Sequence, residues 1–477
     1  MVERNYTLFD NFEYKGMWWL PENPERKVAG ILSVQNRDIK LDLFDSLKRS
    51  NLRDYLSSGN EVFSPKIIQG ITDNGKPCTL LNTFLANRND NSSGVCNESY
   101  VVNFLLVGKL YNLTDEIKFS SVSINYTYLE EWLGYQPFKI NYNEKPLTAK
   151  FEPPVFFEFD IDSIDSKITL SGDLITSIEH FTSFEWNYRA FIKVTPKDYM
   201  DYNWYLEIIS SIGNLLTLLT GEPIYPKQIK ACGSDIEIGA GQKTKEIIEF
   251  FYGLWGDKLP KTIHCNEMIA PLPILKERLN IIFQKWFEKS LLLKPTCDLF
   301  FSTFRTKTYQ DAVFLNLVQA IESYHRRKCS GIYVDKEEYA KYEKLMTEAI
   351  PHEMPKDLKE SFRRRLRYGN EYALRKRIRE IFSNVQKSML ELIANNTEKF
   401  IEKIVDTRNY LTHYDKELES RSITKGIDFY YANEKLWLLL IVLLLKELDI
   451  EDSIVADRIK NIRRFSDLQK RKDNFLE

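Results

Sequence analysis

The chain has 477 residues, of which 43% are hydrophobic and 28% are charged, and its formal net charge is −2. This length exceeds one ordinary core, so two or three domains are expected, and the composition excludes a disordered chain. The near-neutral charge gives no overall attraction to nucleic acid, so any site for a polyanion must be a local patch.

The cysteines and the apolar runs limit the cellular setting. The six cysteines are widely scattered and none lies in a CxxC pair, so free thiols in a reduced compartment are expected and a zinc site is not. The first six residues are polar and lack the pattern of a signal peptide. The longest apolar run, Leu436 to Leu445, is too short to cross a bilayer and predicts a buried helix. We expect a cytoplasmic protein without a membrane segment.

The first half is predicted to be β-rich, because aromatic residues and short apolar or alternating runs concentrate there, separated by Gly, Asn and Asp. The clearest predicted strands are Val28 to Val34, Lys40 to Phe44, Thr79 to Phe84, Tyr100 to Gly108, Lys118 to Tyr128, Phe156 to Ile161 and Ile247 to Leu254. One apolar helix, Tyr202 to Leu219, is predicted before the breaker at Thr220 and Gly221. The pattern is typical of a sandwich or a curved antiparallel sheet.

From Ile274 onward the apolar period changes to 3.6 residues, which predicts amphipathic helices. These helices are Ile274 to Leu293, Thr308 to Lys328, Lys336 to Ala349, Lys356 to Leu366, Glu371 to Ile393, Thr397 to Thr412, Tyr431 to Leu448 and Ser453 to Leu468. We therefore predict an α+β multidomain chain, with a β-rich domain over residues 1–270 and an all-α bundle over residues 271–477.

One hexapeptide in this helical half contains side chains that are suited to catalysis. The residues from Arg408 to His413 combine a permanent cation, the amide of Asn409 and an imidazole. An imidazole can move protons near neutral pH, and a guanidinium can bind phosphate oxygens through two charge-assisted hydrogen bonds. Asn409 lies four residues before His413 on one helix face and could orient the imidazole or the substrate. The spacing alone is weak evidence for a catalytic site. A surface histidine, and an arginine in an ion pair with Asp406 or Asp415, would give the same sequence pattern.

The helical geometry of this hexapeptide raises a difficulty. An ideal helix places Arg408 about 140° from His413, so one straight helix does not point both side chains at the same phosphate. The arginine must wrap around, the helix must end or bend nearby, or a partner subunit must complete the site. The mismatch favours a homodimer.

The Arg408-Asn409-x-x-x-His413 string in a C-terminal helical bundle resembles the HEPN superfamily of ribonucleases. Two longer segments narrow the resemblance. Gly16-Met-Trp-Trp-Leu-Pro21, followed by Val28-Ala-Gly-Ile-Leu, looks like the opening of the N-terminal domain of the ApeA anti-phage HEPN proteins. Phe314-Leu-Asn-Leu-Val-Gln-Ala-Ile-Glu-Ser-Tyr-His325 looks like the first HEPN helix of that group. The resemblance covers most of the chain and implies an RNase whose active site forms where two HEPN domains meet.

The same resemblance implies a role for a glutamate. At the position of Glu322, the glutamate of the resembling proteins is an active-site companion able to hold Arg408 or to steer a proton. Glu322 and His325 are also neighbours on one face of a predicted helix, so a partly buried pair that organises packing is an equal alternative. Tyr324 could stack on a base, although aromatic residues in helical bundles are more often core.

The strongest local charge lies between Ser361 and Glu380, where eight basic residues face two acidic ones. The predicted RNA-binding residues are Arg363, Arg364, Arg365, Arg367, Arg375, Lys376, Arg377 and Arg379. A charge run is usually a solvated helix face. A ribonuclease, however, needs such a surface for the phosphate backbone.

These features predict a metal-independent anti-phage endoribonuclease without a cofactor, acting on host tRNA or another structured RNA. The ribose 2′-hydroxyl would attack its own phosphate, His413 would move protons, and Arg408 would stabilise the pentavalent charge. The β-rich domain would sense a phage-derived trigger or restrain the nuclease, with Trp18 and Trp19 forming either a recognition surface or a strand core. The alternative is a non-catalytic HEPN module that binds RNA or a protein as a scaffold or sensor.

Overall fold

The computed structural model describes residues 6–48, 64–90, 96–142, 148–154, 156–179, 182–238, 242–253, 262–306, 308–462 and 465. The chain divides into two compact units, each described by itself below. The N-terminal unit contains Met1–Thr217, Pro223–Cys265 and Pro271–Gln284, and the C-terminal unit contains Leu218–Glu222, Asn266–Ala270 and Lys285–Glu477.

The N-terminal unit is built from antiparallel strands, in agreement with its alternating sequence. Its strands are β1 (Phe12–Leu20), β2 (Asn23–Gln35), β3 (Asp38–Leu43), β4 (Ile67–Thr72), β5 (Pro77–Asp90), β6 (Cys96–Val107), β7 (Lys118–Phe119), β8 (Ser121–Tyr126), β9 (Phe138–Asn141), β10 (Thr148–Phe151), β11 (Phe157–Ile161), β12 (Ser166–Glu179), β13 (Ser183–Pro196), β14 (Met200–Asp201), β15 (Pro226–Ile238) and β16 (Gln242–Tyr252).

Six of these strands form a closed ring in the order β6-β3-β2-β1-β4-β5, because β5 pairs with β6 as well as with β4. The sheet continues from β6 through β16, β15, β8, β13, β12 and β11. The β5–β6 register shifts between Leu85 and Asn87, and such a bulge increases local bend and twist. The predicted curved antiparallel sheet is therefore confirmed, with part of it closed on itself.

Trp18 and Trp19 lie in the core of this sheet and are 0% and 4% exposed. Trp19 Nε1 donates a hydrogen bond to Gln69 Oε1 at 2.8 Å. The Trp18 ring lies directly on Gly70, where an added Cβ would overlap it, so that strand position requires glycine. The recognition-surface interpretation of these two tryptophans is wrong, and the strand-core interpretation is confirmed.

Two helices of the N-terminal region are α1 (Leu129–Leu133) and α2 (Tyr202–Thr220), the second at the position predicted. The α2 helix packs on the sheet through hydrogen bonds from buried phenols. Tyr126 Oη donates to the Ile209 carbonyl at 2.8 Å, and Tyr205 Oη donates to the Phe119 carbonyl at 3.1 Å. These bonds satisfy the polar ends of aromatic rings that are otherwise in apolar surroundings.

The remaining elements are helical, as the 3.6-residue period predicted. They are α3 (Leu272–Leu275), α4 (Leu279–Leu292), α5 (Lys294–Arg305), α6 (Gln310–Lys328), α7 (Lys336–Glu348), α8 (Lys356–Arg367), α9 (Leu374–Ser383), α10 (Lys387–Ile393), α11 (Thr397–His413), α12 (Lys416–Glu419), α13 (Gly426–Glu447) and α14 (Asp452–Asn461). The last predicted helix extended to Leu468, and part of that prediction lies outside the described residues.

The α13 helix forms the centre of the C-terminal unit. Every side chain from Leu436 to Leu445 is buried, which confirms the predicted buried helix. Phe429 of α13 packs edge-on against Phe314 of α6, with ring centroids 5.6 Å apart. In the part of the chain that the structure describes, no helix is both long and apolar enough to cross a membrane.

The structure divides two predicted helices, Ile274 to Leu293 into α3 and α4 and Glu371 to Ile393 into α9 and α10, and it adds α5, which was not predicted. The single helix predicted from Glu371 to Ile393 is two helices, because the chain turns after Ser383, where Lys446 Nζ donates to the Asn384 carbonyl at 2.7 Å. The sequence also gave no prediction for α5, which has proline in its first turn. Burial of aromatic side chains such as Phe300, rather than helix propensity, stabilises α5.

Candidate active site

The candidate site is at the C-terminal end of α11. This helix begins after Asn396, whose side chain accepts a hydrogen bond from Lys399 N at 3.0 Å. It ends directly at His413, because Tyr414 adopts a left-handed backbone with φ 52°. A helix that ends at the histidine is one of the three solutions that the predicted angular offset allowed.

Arg408 turns from α11 toward α6. Its Nη2 lies 3.6 Å from Glu322 Oε2, and its Nη1 donates to Asn409 Oδ1 at 3.1 Å. The side chains of Arg408 and Glu322 are 35% and 19% exposed. Asp406 pairs instead with Arg375, so the alternative of a solvated arginine paired with an aspartate is not what the structure shows. Because a guanidinium has five N–H donors, these two acceptors leave donors for a phosphate.

His413 is exposed at the open end of the same helix. Within the described residues, its ring makes no hydrogen bond and no ion pair. The side-chain oxygen of Asn409 is bound to Arg408, so Asn409 positions the arginine rather than the imidazole. The structure thus brings Arg408, Asn409 and Glu322 together and leaves His413 about one helical turn further along, without a side chain to orient it.

Glu322 also joins Arg408 to a series of groups, which we call the charge chain: Arg408, Glu322, Arg326, Glu371 and Arg377, whose charges alternate in sign, followed by His325 and Glu380. Glu322 Oε1 accepts from Arg326 Nε at 3.1 Å, and Arg326 Nη1 donates to Glu371 Oε2 at 2.8 Å. The bond to Glu371 is the largest cause that raises the pKa of Arg326. Glu371 Oε2 also lies 3.4 Å from Arg377 Nη2. The candidate arginine is therefore connected to the interior of the bundle.

Two members of the charge chain, Arg377 and His325, are buried, whereas the side chain of the last member, Glu380, is 39% exposed. Arg377 is 2% exposed and His325 is 0% exposed. Arg377 Nη1 lies 3.1 Å from His325 Nδ1, and His325 Nε2 lies 2.8 Å from Glu380 Oε2. Because an arginine can only donate, Nδ1 accepts, and the ring proton is on Nε2, where it faces the carboxylate. Burial is the largest cause that lowers the pKa of Arg377.

These contacts correct the sequence prediction for Arg377, which is not part of an RNA-binding surface. Its guanidinium is inside the protein, where Nε donates to the Tyr372 carbonyl at 2.9 Å. Gly331 makes room for it, since a Cβ at that position would overlap Arg377 Nη1. Tyr324 is also buried, and its hydroxyl donates to Glu447 at 2.8 Å, so it is not available to stack on a base.

One group near this end has the composition of a metal site. One ligand atom each from His325, Cys329 and Glu380 lie within 4.8 Å of one another. Imidazole, thiolate and carboxylate are typical zinc ligands. A metal on His325 Nε2 would require the ring proton on Nδ1, where it would oppose the N–H of Arg377. With Arg377 in place, these residues fit a hydrogen-bonded cluster and not a metal site.

Four of the predicted RNA-binding residues are exposed in the C-terminal part of α8. They are Arg363, Arg364, Arg365 and Arg367, and all four side chains are exposed. No ion pair involves any of them within the described residues. The helix carries six basic and two acidic residues and buries none of its side chains. Its positive charge is therefore available to a polyanion.

The other predicted RNA-binding residues on α9 already have partners. Arg379 forms a two-bond pair with Glu398, at 2.8 and 2.6 Å. Arg375 lies 3.3 Å from Glu402 and 3.5 Å from Asp406. The Lys376 ammonium lies 4.0 Å from each of two tyrosine ring centroids. The predicted basic residues thus fall into two groups. The arginines on α8 form no ion pair within the described residues, whereas the basic residues on α9 contact acidic or aromatic partners.

Sequence reasoning missed the charge chain beyond Glu322. The spacing of Glu322 and Arg326, four residues apart on a predicted helix, signalled its first step. No role was predicted for Glu371 or Glu380, because they were considered only as the two acidic residues within a basic run. Their partners come from other helices and are set by tertiary packing.

Arg377 offers a stability prediction. Replacing it with methionine is expected to lower the free energy of unfolding by about 3 kcal/mol, because Glu371 and the Nδ1 of His325 lose a buried donor. Urea denaturation followed by circular dichroism measures the change. The matched variant Arg379→Met removes a half-exposed arginine from the same helix and is expected to change stability by about 0.5 kcal/mol or less. Equal effects of the two substitutions would contradict the buried role.

Comparison with protein-family models gives two matches in chain order. The model described as ApeA N-terminal domain 1 matches residues 13–286, and the model described as Apea-like HEPN matches residues 315–454. The first match alone covers more than half of the chain. Searches of curated proteins and of solved structures found no match. The chain therefore belongs to the ApeA N-terminal domain 1 family and carries an Apea-like HEPN domain in its C-terminal part.

Proposed function

We propose that this chain is an endoribonuclease that cleaves RNA with its own side chains and without a metal ion. The observation that carries the proposal is the placement of Arg408. It is half-buried between Glu322 and Asn409, with spare donors, on a helix that ends at an exposed histidine. HEPN domains are often ribonucleases, and the family match supports that class of activity for this chain.

The proposed reaction is a transesterification within RNA. The ribose 2′-oxygen forms a bond to the adjacent phosphorus, and the bond from phosphorus to the 5′-oxygen breaks. The products are a 2′,3′-cyclic phosphate and a 5′-hydroxyl. One proton leaves the 2′-hydroxyl and one reaches the 5′-oxygen, and His413 serves one of these transfers. Arg408 donates to the phosphoryl oxygens as negative charge develops on them.

A homodimer is part of this proposal. The reaction needs a second proton-transfer group, and no side chain within the described residues orients His413. A second copy of the same helix end would supply a second histidine and a second arginine. Such a site needs no group beyond those that Arg408 and His413 already provide.

The direct test uses the purified full-length chain and end-labelled tRNA in the presence of EDTA. The expected products carry a 2′,3′-cyclic phosphate, which blocks 3′-end ligation until it is removed, and a 5′-hydroxyl, which polynucleotide kinase can label. Products with 5′-phosphate ends, or loss of all cleavage in EDTA, would contradict the proposed chemistry.

The α8 arginines are proposed to bind the RNA backbone. Changing Arg363, Arg364, Arg365 and Arg367 together to glutamine is expected to weaken tRNA binding by about 100-fold. The slope of log affinity against log salt should fall by about 3, since each lost phosphate contact removes roughly 0.7 to 0.9. Filter binding with the cleavage-defective His413→Ala chain measures both quantities.

The matched control for this experiment is the double variant Arg375→Gln and Arg379→Gln on α9. It also removes positive charge, but both arginines already have acidic partners. We expect its tRNA affinity to change by less than about threefold. A loss of about tenfold in this double variant, half of the quadruple variant's loss on a logarithmic scale, would show that total charge, and not the exposed arginines of α8, determines binding.

A second candidate function is a non-catalytic HEPN module that binds RNA as a scaffold or sensor. The unoriented imidazole of His413 favours this alternative, and the exposed α8 arginines fit it equally well. It predicts tRNA binding without cleavage at any protein concentration, including concentrations at which the chain is dimeric. Measuring both cleavage and filter binding of the same labelled tRNA therefore separates the two functions.

In the cell, we propose that cleavage of host tRNA or another structured RNA limits phage growth. The N-terminal region would then respond to a phage-derived trigger and restrain the nuclease until that trigger is present. Its membership in the ApeA N-terminal domain 1 family is the support for a regulatory region of this kind.

A further inference from the structure

The N-terminal unit contains an open cavity of about 470 Å³ that the proposed ribonuclease chemistry does not use. It lies between the segment that follows α1, the strand β13 and the residues just before Asn266. Its walls include Glu130, Glu131, Tyr135, Phe138, Trp186 and Tyr188. All of these residues belong to the N-terminal unit.

Aromatic rings supply much of the lining. The rings of Phe138 and Trp186 are stacked, with centroids 6.1 Å apart and an interplanar angle of 26°. Tyr135 is 40% exposed at the edge of the cavity, and Trp186 and Tyr188 are half-buried on alternate positions of β13. Phe138 and Trp186 cover one face of each other, and the partial exposure of Trp186 and Tyr188 leaves part of each side chain accessible.

The lining contains two carboxylates, those of Glu130 and Glu131, and one imidazole, that of His264. The carboxylate of Glu130 is fixed, since its Oε1 accepts from Asn125 Nδ2 and from Ala190 N, each at 2.9 Å. Glu131 adds a second carboxylate, and no lysine or arginine is among the lining residues.

The neighbouring basic side chains are directed elsewhere. Lys139 pairs with Glu152, and Arg189 donates to Gln228 at 2.8 Å. Burial, followed by the charges of Glu130 and Asp173, raises the pKa of Tyr188 to about 12.

We propose that this cavity binds an organic cation, a single alkylammonium or guanidinium group. Aromatic faces attract such a cation through their quadrupole, and the two carboxylates neutralise its charge. The alkyl stem beside the charge would pack on Trp186 and Phe138. The cation could be carried by a lysine or arginine side chain of a protein, or by a free polyamine, and both present the same chemistry to the cavity. A phosphate or a nucleic acid backbone would meet two like charges here.

The test titrates the full-length chain with three probes by isothermal calorimetry. The probes are acetyl-Gly-Lys-Gly-amide, the same peptide with its lysine Nε acetylated, and spermidine. We expect the lysine peptide, spermidine or both to bind with a Kd of about 1 mM or tighter, and the acetylated peptide to bind at least tenfold more weakly. Binding of the peptide alone identifies a protein side chain as the source, and binding of spermidine alone identifies a free amine.

Variants locate the binding in the cavity. Trp186→Leu is expected to weaken binding by at least tenfold, while Trp186→Phe retains an aromatic face and most of the affinity. Glu131→Gln should weaken binding by about fivefold, a size ordinary for a partly exposed ion pair. The control Glu185→Gln removes the same charge from the next position of β13, whose side chain faces the opposite side of the sheet.

Three results would overturn the proposal. They are equal binding of the acetylated and free lysine peptides, no binding of either cation, and an equal effect of Glu185→Gln and Glu131→Gln. Because binding is read by calorimetry, failure here leaves the ribonuclease proposal standing. Loss of RNA cleavage would likewise leave the cavity proposal standing.

Discussion

His413→Ala is expected to lower the rate of tRNA cleavage by about 100- to 10,000-fold, the usual contribution of a group that transfers a proton in the transition state. We expect this loss to come from the missing imidazole and not from damage to the fold. His413 is exposed at the end of α11 and makes no hydrogen bond within the described residues, so its removal takes away an imidazole and disturbs no packing. Single-turnover cleavage of labelled tRNA in EDTA measures the rate.

The matched control is His352→Ala, because His352 is another exposed histidine of the same unit. It should cleave at the rate of the unaltered chain, and both variants should melt at the same temperature as that chain. Cleavage that survives in the His413 variant would remove this residue from the mechanism. A lower melting temperature of that variant alone would contradict the claim that the imidazole has no structural role.

Arg408→Lys is the second substitution with a large expected effect, a loss of about 100- to 1,000-fold in the cleavage rate constant. A lysine keeps the charge, but it cannot reach Glu322 and Asn409 while presenting two parallel donors to a phosphate. The loss should appear in the rate at saturating protein and not in the affinity for tRNA. Single-turnover kinetics over a range of protein concentrations separate these two quantities.

Two further variants define what positions Arg408. Arg421→Lys serves as the control, because it changes an exposed arginine whose contact with Asp406 is weak, at 4.0 Å. This variant should cleave tRNA at the normal rate. Glu322→Gln should cause a smaller loss than Arg408→Lys, because Asn409 still accepts a hydrogen bond from the guanidinium. If Glu322→Gln proves as damaging as Arg408→Lys, the glutamate contributes to the chemistry itself and not only to the position of the arginine.

Local sequence features predicted the elements that depend on local patterning. The period of two residues in the first half and of 3.6 in the second was enough to anticipate the curved sheet and the helices after it. The period did not say which face of a strand is inward. Trp18 and Trp19 therefore remained ambiguous until the pairing of β1 with β4 placed Gly70 under an indole ring.

The sequence predicted which residues form the candidate site, but only some of the contacts between them. The proximity of Glu322 and Arg408 followed from a family resemblance, and the structure shows that proximity. The eight-residue basic set could not be divided from sequence, because the acids that pair with Arg375 and Arg379 lie more than one helix away. The burial of Arg377 was equally inaccessible, since an arginine in a basic run is ordinarily solvated.

The alternating signs of the charge chain restrict how this protein can change over evolutionary time. If a mutation removes Glu371, Arg326 and Arg377 lose the carboxylate between them, and two like charges are left facing each other. Losing Glu371 alone is therefore expected to cost more stability than losing it together with Arg326 or Arg377, so we expect these positions to change together among related chains. Arg408 stands at one end of that series, so the surroundings of the arginine proposed to bind phosphate depend on residues that lie away from it in the bundle.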